Sequence, residues 1–273
     1  MIRRLEKDGP KQPSLARVPV AGLLFILCLL LLRLPFSSPV PSGWARTPPS
    51  SPPSTGYLIL GFGDSLMAGY GLDPGMGFVP RLESALRAEG LAVTVINAGV
   101  SGDTTSAGRA RLSWVLDGLA RKPDLVLLEL GANDALRGID PRITRANLDA
   151  MLSLLAKRGL RVLLVGMRAP PNLGPEYRQA FDRIYPELAA RHRTCFYPFF
   201  LEGVAARPSL NQADGLHPNA RGVEEIVRRI VPAVRQALIQ GCPGEGHSGI
   251  TSHPPPSEEG RERPGLSSGQ SDR

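Results

Sequence analysis

The chain has 273 residues, 42% of them hydrophobic, and a formal charge of +7. That charge divides into +5 over residues 1–56, +4 over 57–240 and −2 over 241–273, so much of the basicity lies outside the region with core-forming patterns. No basic run carries interleaved aromatics, which argues against a nucleic-acid partner, and three cysteines are too few for a disulfide framework.

Residues 1–45 read as an export signal or membrane anchor. Arg3, Arg4, Lys7, Lys11 and Arg17 precede a 15-residue apolar run, Val18 to Leu32. That run suits a signal-peptide core and is short of the roughly 20 residues of a spanning helix. A small-x-small pattern at Gly43-Trp44-Ala45 lies well past the run, so an uncleaved anchor stays open. The expected location is periplasmic or secreted, with membrane association only through this segment. A Pro/Ser-rich linker occupies 46–56. Residues 241–273, rich in Gly, Pro, Ser and charge without a hydrophobic period, read as a disordered tail.

Between them, residues 57–240 are long enough for one domain with a core. Continuous apolar runs predict strands at Tyr57–Phe62, Ala92–Asn97, Leu125–Leu130 and Val162–Met167, with a weaker one at Cys195–Tyr197. Helical periods lie between them. Phe78, Leu82, Ala85 and Leu86 share a face near 77–89. Ile143, Leu148, Met151, Leu152 and Leu155 do so near 142–157, and Val223, Ile226, Val227, Ile230, Val234 and Leu238 mark a last helix. This alternation predicts an α/β fold with a parallel sheet of about five strands and helices on both faces, with chemistry at the carboxyl ends of the strands.

The loops at that end carry a consistent set of groups. Gly63-Asp64-Ser65 follows the first strand, and Gly99-Val100-Ser101-Gly102-Asp103-Thr104 the second. Gly131-Ala132-Asn133-Asp134 follows the third, and Asp214-Gly215-Leu216-His217 precedes the last helix. Serine needs a base to become nucleophilic, and histidine has a suitable pKa when a carboxylate fixes its tautomer. One tight turn lets Asp214 reach the ring Nδ1 of His217, leaving Nε2 for Ser65. The amides of Ser65 and Gly102 and the carboxamide of Asn133 are candidate oxyanion donors. Each motif alone also has a plain reading as turn chemistry or a helix cap. Asp103 is the candidate cap for the helix after Gly102, and Asp64 a brace for its own turn and the loop after the second strand.

With those four blocks together the chain resembles the SGNH (GDSL-type) hydrolases. Within them it is most similar to the bacterial periplasmic arylesterase, acyl-CoA thioesterase and lysophospholipase group, through "SGDTT", "ELGANDALRG", "AFDRIYPELA" and "DGLHPN". The resemblance spans 57–240. It implies a three-layer α/β/α flavodoxin-like fold and neither metal nor cofactor. It assigns Ser65, Asp214 and His217 as the catalytic triad and Ser65, Gly102 and Asn133 as the oxyanion hole. The implied substrates are small esters, thioesters or lysophospholipids, handled by a monomer. Two rivals stay open: a carbohydrate or peptidoglycan O-acetylesterase, and a catalytically silent binding domain tethered at the membrane. The nucleophile elbow of the α/β-hydrolases is disfavoured, because Gly63-Asp64-Ser65-Leu66-Met67 lacks its second glycine.

Leu136, Ala169, Pro170 and Leu173 are candidates for a wall against the acyl group. Arg137 reads as a surface arginine, and Trp114, Phe199 and Phe200 as core or rim packing. Whether Cys195 and Cys242 pair is open from sequence.

Overall fold

The computed structural model describes residues 56–242. The expected export segment, nearly all of the linker and the tail beyond Cys242 lie outside the described residues. Five parallel strands, β1 (Tyr57–Gly63), β2 (Val93–Gly99), β3 (Leu125–Glu129), β4 (Val162–Val165) and β5 (Cys195–Tyr197), form one sheet in the order β2-β1-β3-β4-β5. This is the flavodoxin-like order, whose switch point lies between the first and third strands. β1 is therefore an interior strand, paired to β2 through Tyr57–Gly63 and to β3 through Ile59–Gly63. Every residue of β3 and β4 is buried, Glu129 at the end of β3 included, as expected of strands covered on both faces.

The helices are α1 (Ser65–Ala68), α2 (Phe78–Ala88), α3 (Thr105–Asp117), α4 (Ala132–Leu136), α5 (Pro141–Lys157), α6 (Pro175–Asp182), α7 (Ile184–His192) and α8 (Ala220–Ile239). α2 packs on α8 over one face of the sheet, and α3, α5 and α7 pack in sequence over the other. The predicted stripe of α8 is wholly internal: Val223, Ile226, Val227, Ile230, Val234 and Leu238 are all buried. Burial of each such side chain stabilises by about 1.5–3 kcal/mol. The side chain of Asn219 caps this helix by accepting from the Gly222 amide at 3.1 Å. Among the described residues no helix is long and apolar enough to cross a membrane.

The structure departs from the sequence reading in particular places. β2 runs on to Gly99, because its polar end, Asn97-Ala98-Gly99, pairs in register with Gly61-Phe62-Gly63. Thr104, not Asp103, caps α3, its hydroxyl accepting from the Ala107 amide at 3.3 Å. Ile143 falls in the first turn of α5 and is exposed, outside the buried stripe of that helix. Trp114 projects from α3 with 78% exposure, so it is neither core nor rim, whereas Phe200 is core. Cys195 and Cys242 form a disulfide that ties β5 to the residues after α8. Cys242 is buried, so the fold extends two residues past the expected boundary at 240.

Candidate active site

All four loops meet at the carboxyl edge of the sheet. β1 ends at Gly63, where a Cβ would lie 2.4 Å from Glu129 Oε2 and 2.6 Å from the Glu129 carbonyl. Only glycine allows β1 and β3 to approach this closely. The chain then turns at Asp64, which caps α1 by accepting the Leu66 amide on Oδ1 at 3.0 Å. Ser65 is the first residue of α1 and is held nearly buried.

Opposite it stands the segment before α8. Gln212 N donates to the His217 carbonyl at 2.7 Å, and Asn211 forms an isolated antiparallel bridge with Pro218. The resulting loop presents Asp214 and His217 side by side. Asp214 Oδ1 accepts the amides of Leu216 and His217 at 2.9 and 3.0 Å. Its Oδ2 lies 2.6 Å from His217 Nδ1, and His217 Nε2 lies 2.8 Å from Ser65 Oγ. The His217 amide first, then its ring, hold the Asp214 carboxyl down at about 2, so it is ionised at neutral pH. The Gln212 side chain joins this loop to the nucleophile turn, donating to the Tyr70 carbonyl at 2.8 Å and the Pro218 carbonyl at 3.0 Å. The Tyr70 ring lies 4.7 Å from the His217 ring.

The expected oxyanion donors come from three segments. Gly102 adopts φ +85°, a conformation that suits glycine. Among the described residues neither its amide nor that of Ser65 donates to a protein acceptor. Asn133, in α4, donates through Nδ2 to Asp64 Oδ2 at 3.2 Å. Asp64 thus reaches the loop after β3, where the sequence suggested the loop after β2. Arg137, exposed as expected, also donates to the Gly102 carbonyl at 2.9 Å.

Two buried carboxylates lie behind these groups, and the sequence did not reveal how they act. Asp134 accepts from the Thr105 amide at 2.8 Å, the Thr105 hydroxyl at 2.5 Å and the Thr144 hydroxyl at 3.0 Å. It thereby ties the Asn133 turn to α3 and α5. Glu129 is fully buried, with Oε2 accepting the Asp64 amide at 3.4 Å. Burial first, and then the neighbouring Asp64 charge, push its carboxyl well above the usual range. Burial likewise raises Asp64 to about 6.

The suggested acyl-wall residues differ in exposure. Leu136 is half exposed beside Asn133, and Pro170 and Leu173 are partly covered. Ala169 is buried, its amide held by Asp182 at 2.8 Å. Among the described residues no group of three or more His, Cys, Asp or Glu side chains stands together as a metal site.

A hydroxyl, an imidazole and an ionised carboxylate in a hydrogen-bonded line, on the switch-point edge of a flavodoxin-like sheet, define the serine-hydrolase class of arrangement. Residues 62–224 match the model of the GDSL-like lipase/acylhydrolase family, and the chain belongs to that family. The esterase TesA of Pseudomonas aeruginosa is 42% identical over 180 residues, covering 66% of this chain and 89% of that protein. The Escherichia coli K12 protein named thioesterase 1/protease 1/lysophospholipase L1 is 38% identical over 161 residues, covering 59% and 75%. The crystal structure of AlinE4, an SGNH-hydrolase family esterase, aligns with a TM-score of 0.58 at 54% identity, covering 67% of this chain and 97% of that one.

Proposed function

We propose that this chain is an exported serine hydrolase of carboxylic esters and thioesters, with Ser65 as nucleophile, His217 as base and Asp214 as its partner. One observation carries the reading: a single imidazole lies 2.8 Å from Ser65 Oγ and 2.6 Å from the Asp214 carboxylate. Ser65 Oγ attacks the carbonyl carbon while Nε2 takes its proton. Asp214, ionised throughout neutral pH, balances the imidazolium. The oxyanion is met by the amides of Ser65 and Gly102 and by Asn133 Nδ2, each such donor being worth ~10²–10³ in turnover. Collapse expels the alcohol or thiol, which takes the proton from Nε2 and leaves an acyl group on Ser65. Water, deprotonated by His217, then attacks that acyl group and returns the free serine and the acid.

An apolar acyl group is supported by what rims the site. Tyr70, Val100, Leu136 and Leu216, one from each loop, are 53%, 45%, 50% and 49% exposed. Solvent-facing apolar side chains grouped around a polar centre suit an acyl chain better than a sugar. The relatives named esterase and thioesterase/lysophospholipase support the same class. Export is supported by the Cys195–Cys242 disulfide, which belongs in an oxidising compartment. Mass spectrometry of the mature N-terminus tests it.

The activity test is hydrolysis by the full chain of p-nitrophenyl acetate, octanoate and dodecanoate and of an acyl-CoA, beside Ser65→Ala. Turnover of the longer esters that vanishes in Ser65→Ala is expected. Strict preference for acetyl groups on sugars selects the O-acetylesterase, and equal inertness of both proteins selects the binding domain.

A further inference from the structure

Arg111 projects from α3 toward the sheet, and its guanidinium is spent on three acceptors from three segments. Nε donates to Asp103 Oδ2 at 2.6 Å, Nη1 to the Ala98 carbonyl at 2.8 Å and Nη2 to the Gly63 carbonyl at 2.9 Å. Its Cζ lies 4.0 Å from the centroid of the Phe62 ring, which is fully buried. The side chains of Arg111 and Asp103 are only 18% and 12% exposed, so these bonds are shielded from water.

The identity of the three acceptors matters. Gly63 precedes the Asp64-Ser65 turn by one residue. Ala98 is at the carboxyl end of β2, opposite Phe62 in the register. Asp103 directly follows Gly102. One rigid fork therefore grips the strand end that delivers Ser65, the strand end that starts the Gly102 loop, and the residue beside Gly102. The Gly63 carbonyl also accepts the Val100 amide at 3.1 Å, closing the same junction from the backbone side.

We propose that Arg111 is the positioning residue that sets the distance between the Ser65 and Gly102 amides, and so the geometry of the oxyanion hole. The inference rests on the esterase reading above. It follows from donor geometry. A planar guanidinium reaches three divergent acceptors at fixed angles, and a lysine ammonium at the end of a flexible stem does not. Two amides that must meet one oxyanion tolerate little relative movement, and a shift of about 1 Å costs on the order of 10²-fold in rate. Arg111 itself touches neither substrate nor the reacting atoms.

The test compares Arg111→Lys, Arg111→Ala, Ser65→Ala and Arg158→Ala in the full chain. Arg158 pairs with Asp117 and Ser113 on the outer side of α3, and gives a stability control away from the site. For Arg111→Lys the expected result is a fall in kcat of about 10²-fold, with KM within a few-fold and the shape of the pH profile unchanged. Millimolar guanidinium chloride is expected to restore part of the lost kcat in Arg111→Ala, and the same concentration of sodium chloride to restore none.

The proposal is overturned if Arg111→Lys keeps wild-type kcat. It is also overturned if the losses in both Arg111 variants simply track thermal stability, as in Arg158→Ala, with no guanidinium rescue. Ser65→Ala keeps the two readings apart. If it stays active, the esterase assignment itself falls; if it is dead while Arg111→Lys is fully active, only the role of Arg111 falls.

Discussion

Asp64 aims the carboxamide of Asn133: Nδ2 donates to Oδ2 at 3.2 Å, while Oδ1 of the same carboxylate holds the Leu66 amide at 3.0 Å. One buried acid thus fixes both the start of the nucleophile helix and the side chain proposed to meet the oxyanion. A carboxylate can only accept, so it also dictates which end of the amide faces it.

Asp64→Asn therefore removes one of two acceptors, and either Leu66 or Asn133 loses its partner. The expected result is a fall in kcat of about 10–100-fold with little change in KM, measured on p-nitrophenyl octanoate. A variant with wild-type kcat contradicts this role.

The same acid makes a signed prediction for stability. Its pKa is raised from 3.8 to about 6 by burial. Between those values the folded chain keeps a proton that the unfolded chain releases, so this group's contribution to stability is full below pH 4 and is lost as pH rises through 6. The difference of about two units corresponds to about 3 kcal/mol. Urea unfolding of wild type and Asp64→Asn at pH 4 and pH 7.5 reads it directly: the variant gains on wild type by roughly that amount as pH rises. A constant difference between the two proteins is the contrary result.

Gly63→Ala places a Cβ 2.4 Å from Glu129 Oε2, 2.6 Å from a backbone carbonyl and 2.8 Å from Met67 Cβ. None of these is the free end of an exposed side chain, so β1 and β3 must separate. Destabilisation of about 1–3 kcal/mol and a displaced Ser65 are expected, seen as a lower melting temperature together with lost turnover. Full activity in this variant contradicts the account of why glycine stands there.

Cys195 and Cys242 are 47 residues apart, and the loop they close contains Asp214, His217 and all of α8. On the chain-entropy view, closing a loop of that length stabilises by about 4 kcal/mol. Cys242→Ser is expected to lower the urea midpoint correspondingly, and dithiothreitol to lower that of wild type but not of the variant. Identical midpoints with and without reductant contradict it.

Much of the fold and site can be read from local pattern. The strands are largely apolar runs, and the α8 stripe repeats at helical spacing. Ser65, Gly102 and Asn133 follow strand ends and His217 precedes the last helix, and their convergence follows from the parallel sheet. What escapes the sequence is set by partners distant along the chain. Asp103 has the composition of a helix cap, but Arg111, eight residues on, takes its carboxylate and leaves the cap to Thr104. Glu129 looks like the polar end of a strand, and only the approach of Gly63 shows why it is buried. Arg111 lies between Ala110 and Leu112 on a helix, and no spacing rule marks it as the link between two strand ends. Ile143 fits the helical period but faces solvent, because the next residue, Thr144, takes the inward place in that turn and donates to Asp134.

Covalent labelling reads out on the residue itself whether Ser65 Oγ is the nucleophile. The full chain is treated with a p-nitrophenyl alkylphosphonate, digested and analysed by mass spectrometry. One phosphonyl group on the peptide containing Ser65, appearing in step with loss of esterase activity and absent from Ser65→Ala, is the result expected. Inactivation with the label on another residue, or undiminished esterase activity in Ser65→Ala, would contradict it.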